Sequence, residues 1–513
     1  MTNPIHQRQQ TYLLPSHPSY KVLDRFSILP DEQADELLDS SGYIPFWPLL
    51  QYLLIQCIQE PNSTAGPHLD PAVIPHVTDF QTLTFLLDTI TLTIRGTTHP
   101  ARIHGSDKDD DYRLLREAID SRFRTGEHFS REVWPRLVRV ALEMPDLFPS
   151  HDIPCLGSPF RKRAVNGAEE DTISLSRRQA ACLVVHQFLR TLRAPAWKDE
   201  EEGLHEFGLW YSGAGQRQES AARAYLAALM AYFEEVVCRE EEEEGWVVEY
   251  TLRTVDEDQV QGLLEGEAIR LADVEVEIVE RFDTSPASLG VPGGAAVVAA
   301  NKVIGFGQSA TQEEVHVGST PEACPAVLFT PPLEDDQVLI VRGAQGMVNI
   351  TGARRDIQVE ALTVPDGGVS SWRTRTMLFM DALELDMADP AEGLPDLLPG
   401  NLDRELRKAY TTFSSGHLRE IRTGLWGCGA FCGDPGVKML VLWLAASLAR
   451  TKPVVVCDGS EREFAEEFLS VVGTATAVLH DAAALWQLLG QMPRLLVRGE
   501  TLPWIAAQLE GCC

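Results

Sequence analysis

The chain lacks a long hydrophobic run. None of its 513 residues belongs to an uncharged apolar stretch of about 18 residues, the length that a transmembrane helix requires. Residues 1–8 also lack the apolar segment that is typical of a signal peptide. We therefore expect an intracellular protein, in the nucleus, the cytoplasm or both, with no membrane partner.

Cysteines at the spacing of a zinc site are also missing. The ten cysteines are scattered, and several, such as Cys57 and Cys182, lie within apolar patterns. This distribution is typical of reduced, buried thiols in an intracellular protein. The pairs Cys428-x₃-Cys432 and Cys512-Cys513 have no second pair or histidine at zinc spacing. We expect no metal ion and no cofactor.

Basic residues are few. Lys and Arg number 44 against 75 Asp and Glu, which gives a net charge of −31. A field of this sign repels polyanions, so we expect no direct binding of nucleic acid. The acidic residues concentrate at 240–244 and 256–280, where a solvated face or a linker is the simplest interpretation. An anionic ligand would have to be held locally by backbone amides and a few arginines. The candidate arginines, for which solvated surface is the alternative, are Arg354, Arg355, Arg373 and Arg375.

The first half of the chain has the periodicity of helices. In the segments 176–192 and 220–238, apolar residues recur every three or four positions, and Ser176 is suited to cap the first segment. The acidic run 240–244 and Gly245 then interrupt the pattern. We predict an all-α helical accessory region over residues 1–245.

From residue 246 onward, short apolar strands alternate with helical segments. Such alternation predicts a layered α/β domain over residues 246–513. Helical patterns begin near Gln312, Arg404, Val437 and Arg462. The candidate strands are Trp246–Leu252, Val274–Val279, Ala295–Ala300, Ala326–Phe329, Val338–Val341, Thr376–Phe379 and Val454–Val456.

A glycine loop and two adjacent carboxylates follow the candidate strand at 295–300. Gly305-Phe306-Gly307 leaves main-chain N–H groups accessible to a phosphate, because glycine has no Cβ. Glu313 and Glu314 are suited to acid/base chemistry on a glycosidic bond beside that phosphate. Alternatively, Thr311 and Glu314 form a capping box at the start of a helix. A helix N-terminus would lower the pKa of Glu314, whereas burial would raise it.

A second glycine-rich loop occurs at 427–431, with the sequence GCGAF. Its small residues allow the backbone to close on a ligand, and Phe431 can cover the face of a sugar or base. Alternatively, Phe431 packs beneath the helix that follows. Both interpretations can hold together.

These motifs resemble the poly(ADP-ribose) glycohydrolase family. The segment 300–314 is similar to the catalytic loop of that family, which carries glycines ahead of Gln-Glu-Glu. Three further segments are similar and follow the family's order: Ile173–Cys182, Gly343–Gly352 and Trp426–Pro435. The resemblance implies an α/β fold with a macrodomain-like mixed sheet flanked by helices, preceded by the helical region. That sheet would carry ADP-ribose at the ends of its strands.

The chain also departs from the family pattern. Phe306 interrupts the glycines, and the spacer before Gln312 is short. Val298, Ala353 and Leu425 stand where the family has an aspartate, a tyrosine and an asparagine.

The resemblance implies hydrolysis of ribose–ribose O-glycosidic bonds in poly(ADP-ribose), with release of ADP-ribose. Glu314 would be the general acid and base, and Glu313 would bind the ribose hydroxyls. We expect the ring of Phe306 to cover adenine or ribose. A monomer acting on the polymer or on ADP-ribosylated proteins in the DNA damage response is implied as well. The implied substrate-binding residues are Asn301, Gly305, Phe306, Gly307, Gln312, Gly429, Ala430 and Phe431.

Two other functions remain open. The departures are consistent with a reader of the same fold that binds ADP-ribose with little or no catalysis. Retention of both glutamates favours the enzyme, because a reader needs no proton donor. A third function is an interaction protein that works through the acidic helical region.

Overall fold

The structure is a computed structural model. It describes residues 10–24, 26–58, 76–95, 111–158, 161–165, 167–200, 202–212, 218–239, 245–353, 356–389, 393–416 and 418–511. The acidic run 240–244, Arg354, Arg355 and the pair Cys512-Cys513 lie outside the described residues.

The strands are short except for two of nine residues each. They are β1 (Thr11–Leu13), β2 (Lys21–Val22), β3 (Ile44–Pro45), β4 (Asp152–Pro154), β5 (Arg163–Val165), β6 (Ala168–Ser176), β7 (Val247–Val255), β8 (Glu275–Val279), β9 (Ala295–Ala300), β10 (Gln337–Arg342), β11 (Asn349–Thr351), β12 (Gln358–Glu360), β13 (Thr376–Asp381), β14 (Glu420–Thr423) and β15 (Lys452–Asp458).

Most of the α-helices lie either before β7 or after β13. The α-helices are Asp31–Leu37, Phe46–Gln56, Phe80–Arg95, Arg113–Phe123, Gly126–His128, Trp134–Leu142, Met144–Leu147, Arg177–Leu189, Gly208–Tyr211, Glu219–Tyr232, Glu257–Glu265, Gln312–Gly318, Ala326–Phe329, Asn401–Phe413, Pro435–Ala449, Arg462–Val478, Ala482–Gly490 and Thr501–Glu510. Short π-helical segments lie at Phe129–Val133 and Phe233–Val237, and 3₁₀ turns lie at Pro321–Ala323, Val369–Thr374, Pro395–Leu397 and Gly459–Glu461.

The helix Arg177–Leu189 shows how the sequence sets a boundary. Ser176 precedes it, and the Ser176 hydroxyl accepts a hydrogen bond of 3.1 Å from the N–H of Gln179. The Gln179 side chain in turn accepts one of 2.9 Å from the N–H of Ser176, which completes a capping box. The predicted cap is therefore confirmed. Beyond the first turn, residues 180–189 are all buried, so this helix is a core element of the first half.

Nine strands form one mixed sheet in the order β5-β6-β7-β10-β13-β9-β14-β15-β8. β13, β9, β14, β15 and β8 are mutually parallel, whereas β10 is antiparallel to both β7 and β13. Separate two-stranded pairs are β1 with β4, β2 with β3, and β11 with β12. The predicted α/β class, with a mixed sheet flanked by helices, is confirmed.

The sheet separates two hydrophobic cores. In β9, Val298 and Ala300 pack into the core that contains the helices of the first half. Ala295 and Val297 pack into the core that contains the C-terminal helices. Successive side chains of a strand point to opposite faces, so β9 is buried on both sides. This position explains its uninterrupted apolar sequence.

One predicted strand is wrong, and nine of the described strands were missed, of which β5, β6 and β14 belong to the nine-stranded sheet. Ala326–Phe329 is a single α-helical turn after Pro325, because a short apolar run has no period that separates strand from buried helix. β5 and β6 were missed because charged residues interrupt their pattern, and β14 because it is only four residues long. The domain boundary at residue 246 stays a prediction; β5 and β6, which precede it, pair into the same sheet as β7.

In the described ranges no single helix is long and apolar enough to cross a membrane. The bent pair of Gly459–Val478 and Ala482–Gly490 reaches that length and composition only when the two are taken together. The cysteines in these ranges are free thiols, six of them buried. Nowhere in the same ranges do three His, Cys, Asp or Glu side chains lie close enough to hold a metal ion.

Candidate active site

The two glycine-rich loops leave the same edge of the sheet. β9 lies between β13 and β14 and is parallel to both, with Ala300 opposite Asp381 and Ala295 opposite Ile421. The segment 301–311 follows β9, and the segment 424–434 follows β14. Since carboxyl ends of parallel strands meet at one edge, these loops lie side by side, where ligands of open α/β sheets usually bind.

The first loop ends in a capping box. The Thr311 hydroxyl accepts a hydrogen bond of 3.3 Å from the N–H of Glu314, and Glu314 Oε2 accepts one of 3.1 Å from the N–H of Thr311. The helix Gln312–Gly318 therefore begins at the two glutamates. The capping-box interpretation is confirmed, and it holds Glu314 at the mouth of the loop.

Glu313 closes the loop from inside. Its side chain is buried, and its two carboxylate oxygens accept hydrogen bonds of 2.9 Å from the N–H of Asn301 and 3.0 Å from the N–H of Gly305. Burial raises the pKa of Glu313 to about 7, and the charge of Glu314 acts in the same direction. The two N–H donors and the ammonium of Lys198 oppose that rise. Glu313 therefore determines the shape of the loop, and its carboxyl group changes between its neutral and charged forms near neutral pH.

Glu314 is half-buried, and Gly307 packs against its carboxylate. A Cβ at residue 307 would overlap Glu314 Oε1, so glycine is required there for space. Burial raises the pKa of Glu314, although main-chain N–H groups of Thr311, Ser309 and Ala310 act to lower it. Burial therefore prevails over the helix N-terminus. A carboxylic acid with a raised pKa is what proton donation near neutral pH requires.

The polar residues Asn301 and Gln312 hold the backbone of the loop and of β9. Asn301 Oδ1 accepts a hydrogen bond of 2.9 Å from the N–H of Val303. The Gln312 amide accepts one of 3.0 Å from the N–H of Ala299 and donates one of 3.3 Å to the carbonyl of Val297. Both residues lie at the predicted site, and the contacts seen here are structural.

The ring of Phe306 is buried in the core and does not project from the loop. It is 2% exposed and lies with its centroid 5.4 Å from that of Phe207 and 5.2 Å from that of Trp210. The helical region thus provides an aromatic pocket that takes the ring into the core. The expectation that its ring covers adenine or ribose is wrong.

The second loop combines exposed small residues with a buried base. Gly429 and Ala430 are exposed, and Phe431 is half-buried against the C-terminal core. Gly427 has a φ of +74°, and a Cβ there would lie 2.6 Å from the Cβ of Ala382. The loop ends at Asp434, which caps the helix Pro435–Ala449 by accepting from the N–H of Val437 at 2.9 Å. The Phe431 side chain therefore packs against the C-terminal core while part of it stays exposed.

Sequence reasoning missed a chain of buried charges beneath the second loop. Lys438 Nζ bonds Glu405 and lies 3.4 Å from Asp396 Oδ1. Arg404 bonds both Glu405, at 2.6 Å, and Asp381, at 2.5 Å. The last member, Lys408, donates to Asp381 at 2.6 Å. The sequence contains one sign of these buried charges, which is a lysine within the apolar run 437–449.

Of the four candidate arginines, the two within the described residues, Arg373 and Arg375, do not reach this edge. Arg375 is 1% exposed and donates to the hydroxyl of Thr320 at 2.9 Å and to the carbonyl of Ala344 at 3.2 Å. The guanidinium of Arg373 lies over the ring of Trp246, 5.2 Å from its centroid. Arg375 is therefore a core residue. Its partners lie far from it in the sequence, so the local sequence does not indicate its burial.

Models of one protein family match the chain in two segments. The model described as the helical domain of poly(ADP-ribose) glycohydrolase matches residues 123–251. The model described as the macro domain fold of the same enzyme matches residues 284–466. Together they span more than half of the chain.

Among curated proteins, the chain is similar to two from Caenorhabditis elegans. Poly(ADP-ribose) glycohydrolase 2 is 27% identical over an alignment of 184 residues, and the match covers 33% of this chain and 38% of that protein. Poly(ADP-ribose) glycohydrolase 1 is 25% identical over an alignment of 188 residues, and the match covers 34% of this chain and 24% of that protein. The matches therefore span well under half the length of either relative.

Solved structures give weaker likenesses. Poly(ADP-ribose) glycohydrolase from Deinococcus radiodurans in complex with ADP-ribose is 18% identical, with a TM-score of 0.27, and the match covers 42% of this chain and 92% of that one. The enzyme from Thermomonospora curvata is 16% identical, also with a TM-score of 0.27, over 40% of this chain and 79% of that one.

Proposed function

Because the chain belongs to the poly(ADP-ribose) glycohydrolase family, we propose that it hydrolyses ribose–ribose O-glycosidic bonds in poly(ADP-ribose) and releases ADP-ribose. The observation that carries this proposal is the pair Glu313 and Glu314. One carboxylate is buried in the glycine loop, and the other lies at the mouth of that loop with a raised pKa. A non-catalytic binding loop would need the second only as a helix cap, and that role does not require a raised pKa.

In the proposed reaction, Glu314 is the proton donor. It protonates the departing 2′-oxygen as the bond from that oxygen to the anomeric carbon breaks and an oxocarbenium-like ion forms. The carboxylate left behind is stabilised by the N–H of Thr311, which already donates to it at 3.1 Å. Glu314 then takes a proton from water while the water oxygen bonds the anomeric carbon. The cycle therefore returns Glu314 to its acid form.

Glu313 and the two loops form the proposed substrate-binding surface. Glu313 anchors the ribose, directly or through the loop that it shapes. The main chain of residues 305–307 forms one wall, together with Asn301 and Gln312. The opposite wall consists of Gly429, Ala430 and Phe431, of which the first two are exposed. Phe306 contributes through its backbone alone.

We further propose poly(ADP-ribose) or ADP-ribosylated proteins as partners, a monomer, and a role in the DNA damage response in the nucleus or cytoplasm. The family assignment supports the first of these. The others rest on the sequence expectations above.

A reader of ADP-ribose is the second candidate function. Val298 favours it, because this side chain is fully buried in the core, where the family's aspartate would supply a polar group. Titration of the protein with ADP-ribose beside a polymer-cleavage assay separates the candidates. The enzyme releases ADP-ribose from polymer with many turnovers per molecule, whereas the reader binds ADP-ribose and leaves the polymer intact.

A further inference from the structure

The first glycine loop is held from behind by residues of the helical region. The carbonyl of Ile304 accepts a hydrogen bond of 2.7 Å from Lys198 Nζ. The carbonyl of Gly307 accepts one of 2.9 Å from Trp210 Nε1. The Gln308 side chain donates to the carbonyl of Leu209. Three successive anchors therefore come from residues 198–210, in addition to the buried ring of Phe306.

Lys198 is the charged anchor, and it acts on the same peptide group as Glu313. The peptide that joins Ile304 to Gly305 has its carbonyl on the ammonium of Lys198 and its N–H on Glu313 Oε1, at 2.7 Å and 3.0 Å. A Cβ at Gly305 would lie 3.0 Å from Lys198 Nζ. A cation and an anion thus hydrogen-bond the carbonyl and the N–H of one peptide group. Charge-assisted hydrogen bonds of this kind are about twice as strong as neutral ones.

The charges around this peptide are few. Glu313 faces Lys198 and the carboxylate of Glu314, and Lys198 faces Glu313 and Glu202. Burial lowers the pKa of Lys198 to about 8, whereas Glu313 and Glu202 act to raise it. The pKa of Glu313, raised to about 7 by burial, would be higher without the lysine. Each group therefore favours the charged form of the other.

We propose that Lys198 is a positioning residue of the site, which fixes the peptide between Ile304 and Gly305 against Glu313 and so sets the ligand-binding loop. The helical region thereby takes part in the site without touching the reacting atoms. This role rests on the proposed function where activity is the readout. The contact itself does not depend on that function.

The first test measures ADP-ribose affinity as a function of pH for the full chain carrying Lys198→Met. This substitution removes the charge of the side chain and keeps its length. We expect ADP-ribose to bind about tenfold more weakly at neutral pH, the scale of one charge-assisted hydrogen bond. The pH profile of ADP-ribose affinity should move to higher pH by about one pH unit, because the pKa of Glu313 rises when its cation is removed. In cleavage, KM should rise more than kcat falls. Lys198→Arg should return the profile towards that of the wild type.

Lys452→Met is the matched control, because it removes an ammonium that is 41% exposed and paired with Glu275 far from the loop. It should leave the profile unchanged. The proposal is overturned if Lys198→Met and Lys452→Met give the same profile. If Lys198→Met does not fold, Lys198→Gln, which keeps a donor without the charge, is measured in its place.

A second readout needs neither ligand nor activity. In protein labelled with ¹³C at glutamate carboxyls, the Glu313 signal is the one that disappears in Glu313→Gln. Its titration should shift to higher pH in Lys198→Met and not in Lys452→Met. An unshifted titration contradicts the role of Lys198 even if the protein is active, and a shifted one supports it even if polymer hydrolysis is not found.

Discussion

Glu313 and Glu314 are adjacent in sequence, yet the structure gives their carboxyl groups different surroundings. The first turn of the helix Gln312–Gly318 directs Glu313 into the loop and leaves Glu314 at its mouth. The sequence indicated the pair and the cap, because both patterns are local. It did not indicate where Phe306 points, because Phe207 and Trp210, which surround the ring, lie far earlier in the chain.

Gly307→Ala tests the placement of Glu314. The added Cβ would overlap Glu314 Oε1. Since that carboxylate is the end of a flexible side chain, it should move aside and the fold should persist. We expect turnover of poly(ADP-ribose) to fall about 10²-fold, the cost of displacing a catalytic group by about 1 Å.

The control for this variant is Gly473→Ala, in the helix Arg462–Val478, where a Cβ meets nothing within 4 Å. Its turnover should be unchanged, and alanine should suit the helix better than glycine. Wild-type turnover in Gly307→Ala would show that Glu314 does not need its present position.

The charge of Glu313 should produce a pH dependence. Burial raises its pKa from 4.5 to about 7, and only the ionised form accepts from both Asn301 and Gly305. ADP-ribose affinity, measured by calorimetry, should therefore fall as pH drops below about 7. The dependence should vanish in Glu313→Gln, and its persistence there would assign it to another group.

The free energy of unfolding should also depend on the titration of Glu313, but in the direction opposite to that of ADP-ribose affinity. The folded protein holds a proton on Glu313 between about pH 4.5 and 7, where the unfolded chain has lost it. The contribution to stability is therefore present at low pH and lost as pH rises through that range. Relative to Glu313→Gln, the free energy of unfolding of the wild type should decline across it in urea titrations.

At the scale of elements, the parallel strands and the helices after them were largely predictable. β9, β13 and β15 have apolar sequences because neighbours cover them, and Pro435–Ala449 has a sharp start at Asp434. The charge chain beneath the second loop was not predictable. Its members come from four elements that meet only in the folded molecule, and nothing local marks Glu405 or Asp396 as partners of Lys438.

Lys438→Met should be strongly destabilising. The Lys438 side chain is 1% exposed, and its loss leaves the buried carboxylate of Asp396 without its cation and that of Glu405 with Arg404 as its remaining partner. Breaking a buried pair in this way costs about 3–5 kcal/mol. Urea denaturation measures it, and Lys452→Met, which breaks an exposed pair, should cost about 1 kcal/mol or less.

The side chain of Lys438 also passes beneath two loop glycines. A Cβ at Gly433 would lie 2.5 Å from Lys438 Cε, and one at Gly427 would lie 3.3 Å from it. Adding Asp396→Asn to Lys438→Met should recover part of the loss, since the carboxylate that lost its cation is then neutral. Equal stabilities of Lys438→Met and Lys452→Met would contradict the network.

At the scale of the whole molecule, one sheet carries two cores, and the site lies at the sheet edge where the helical region meets the glycine loop. The sequence indicated an α/β domain after a helical region. It did not indicate that β5 and β6 extend the same sheet, because strand order is set by long-range pairing. The net charge of −31 opposes a polyanionic substrate, so binding must depend on short-range contacts at the loops.

Those contacts and the proton donor are separable in one comparison. Glu314→Gln keeps the shape of the side chain but has no proton to deliver. We expect hydrolysis of poly(ADP-ribose) by full-length Glu314→Gln to fall by about 10² or more relative to the wild type, the scale of general acid catalysis. Its ADP-ribose dissociation constant should stay within about threefold of the wild-type value. Hydrolysis at the wild-type rate by Glu314→Gln, or a wild type that binds ADP-ribose without cleaving polymer, would contradict the account.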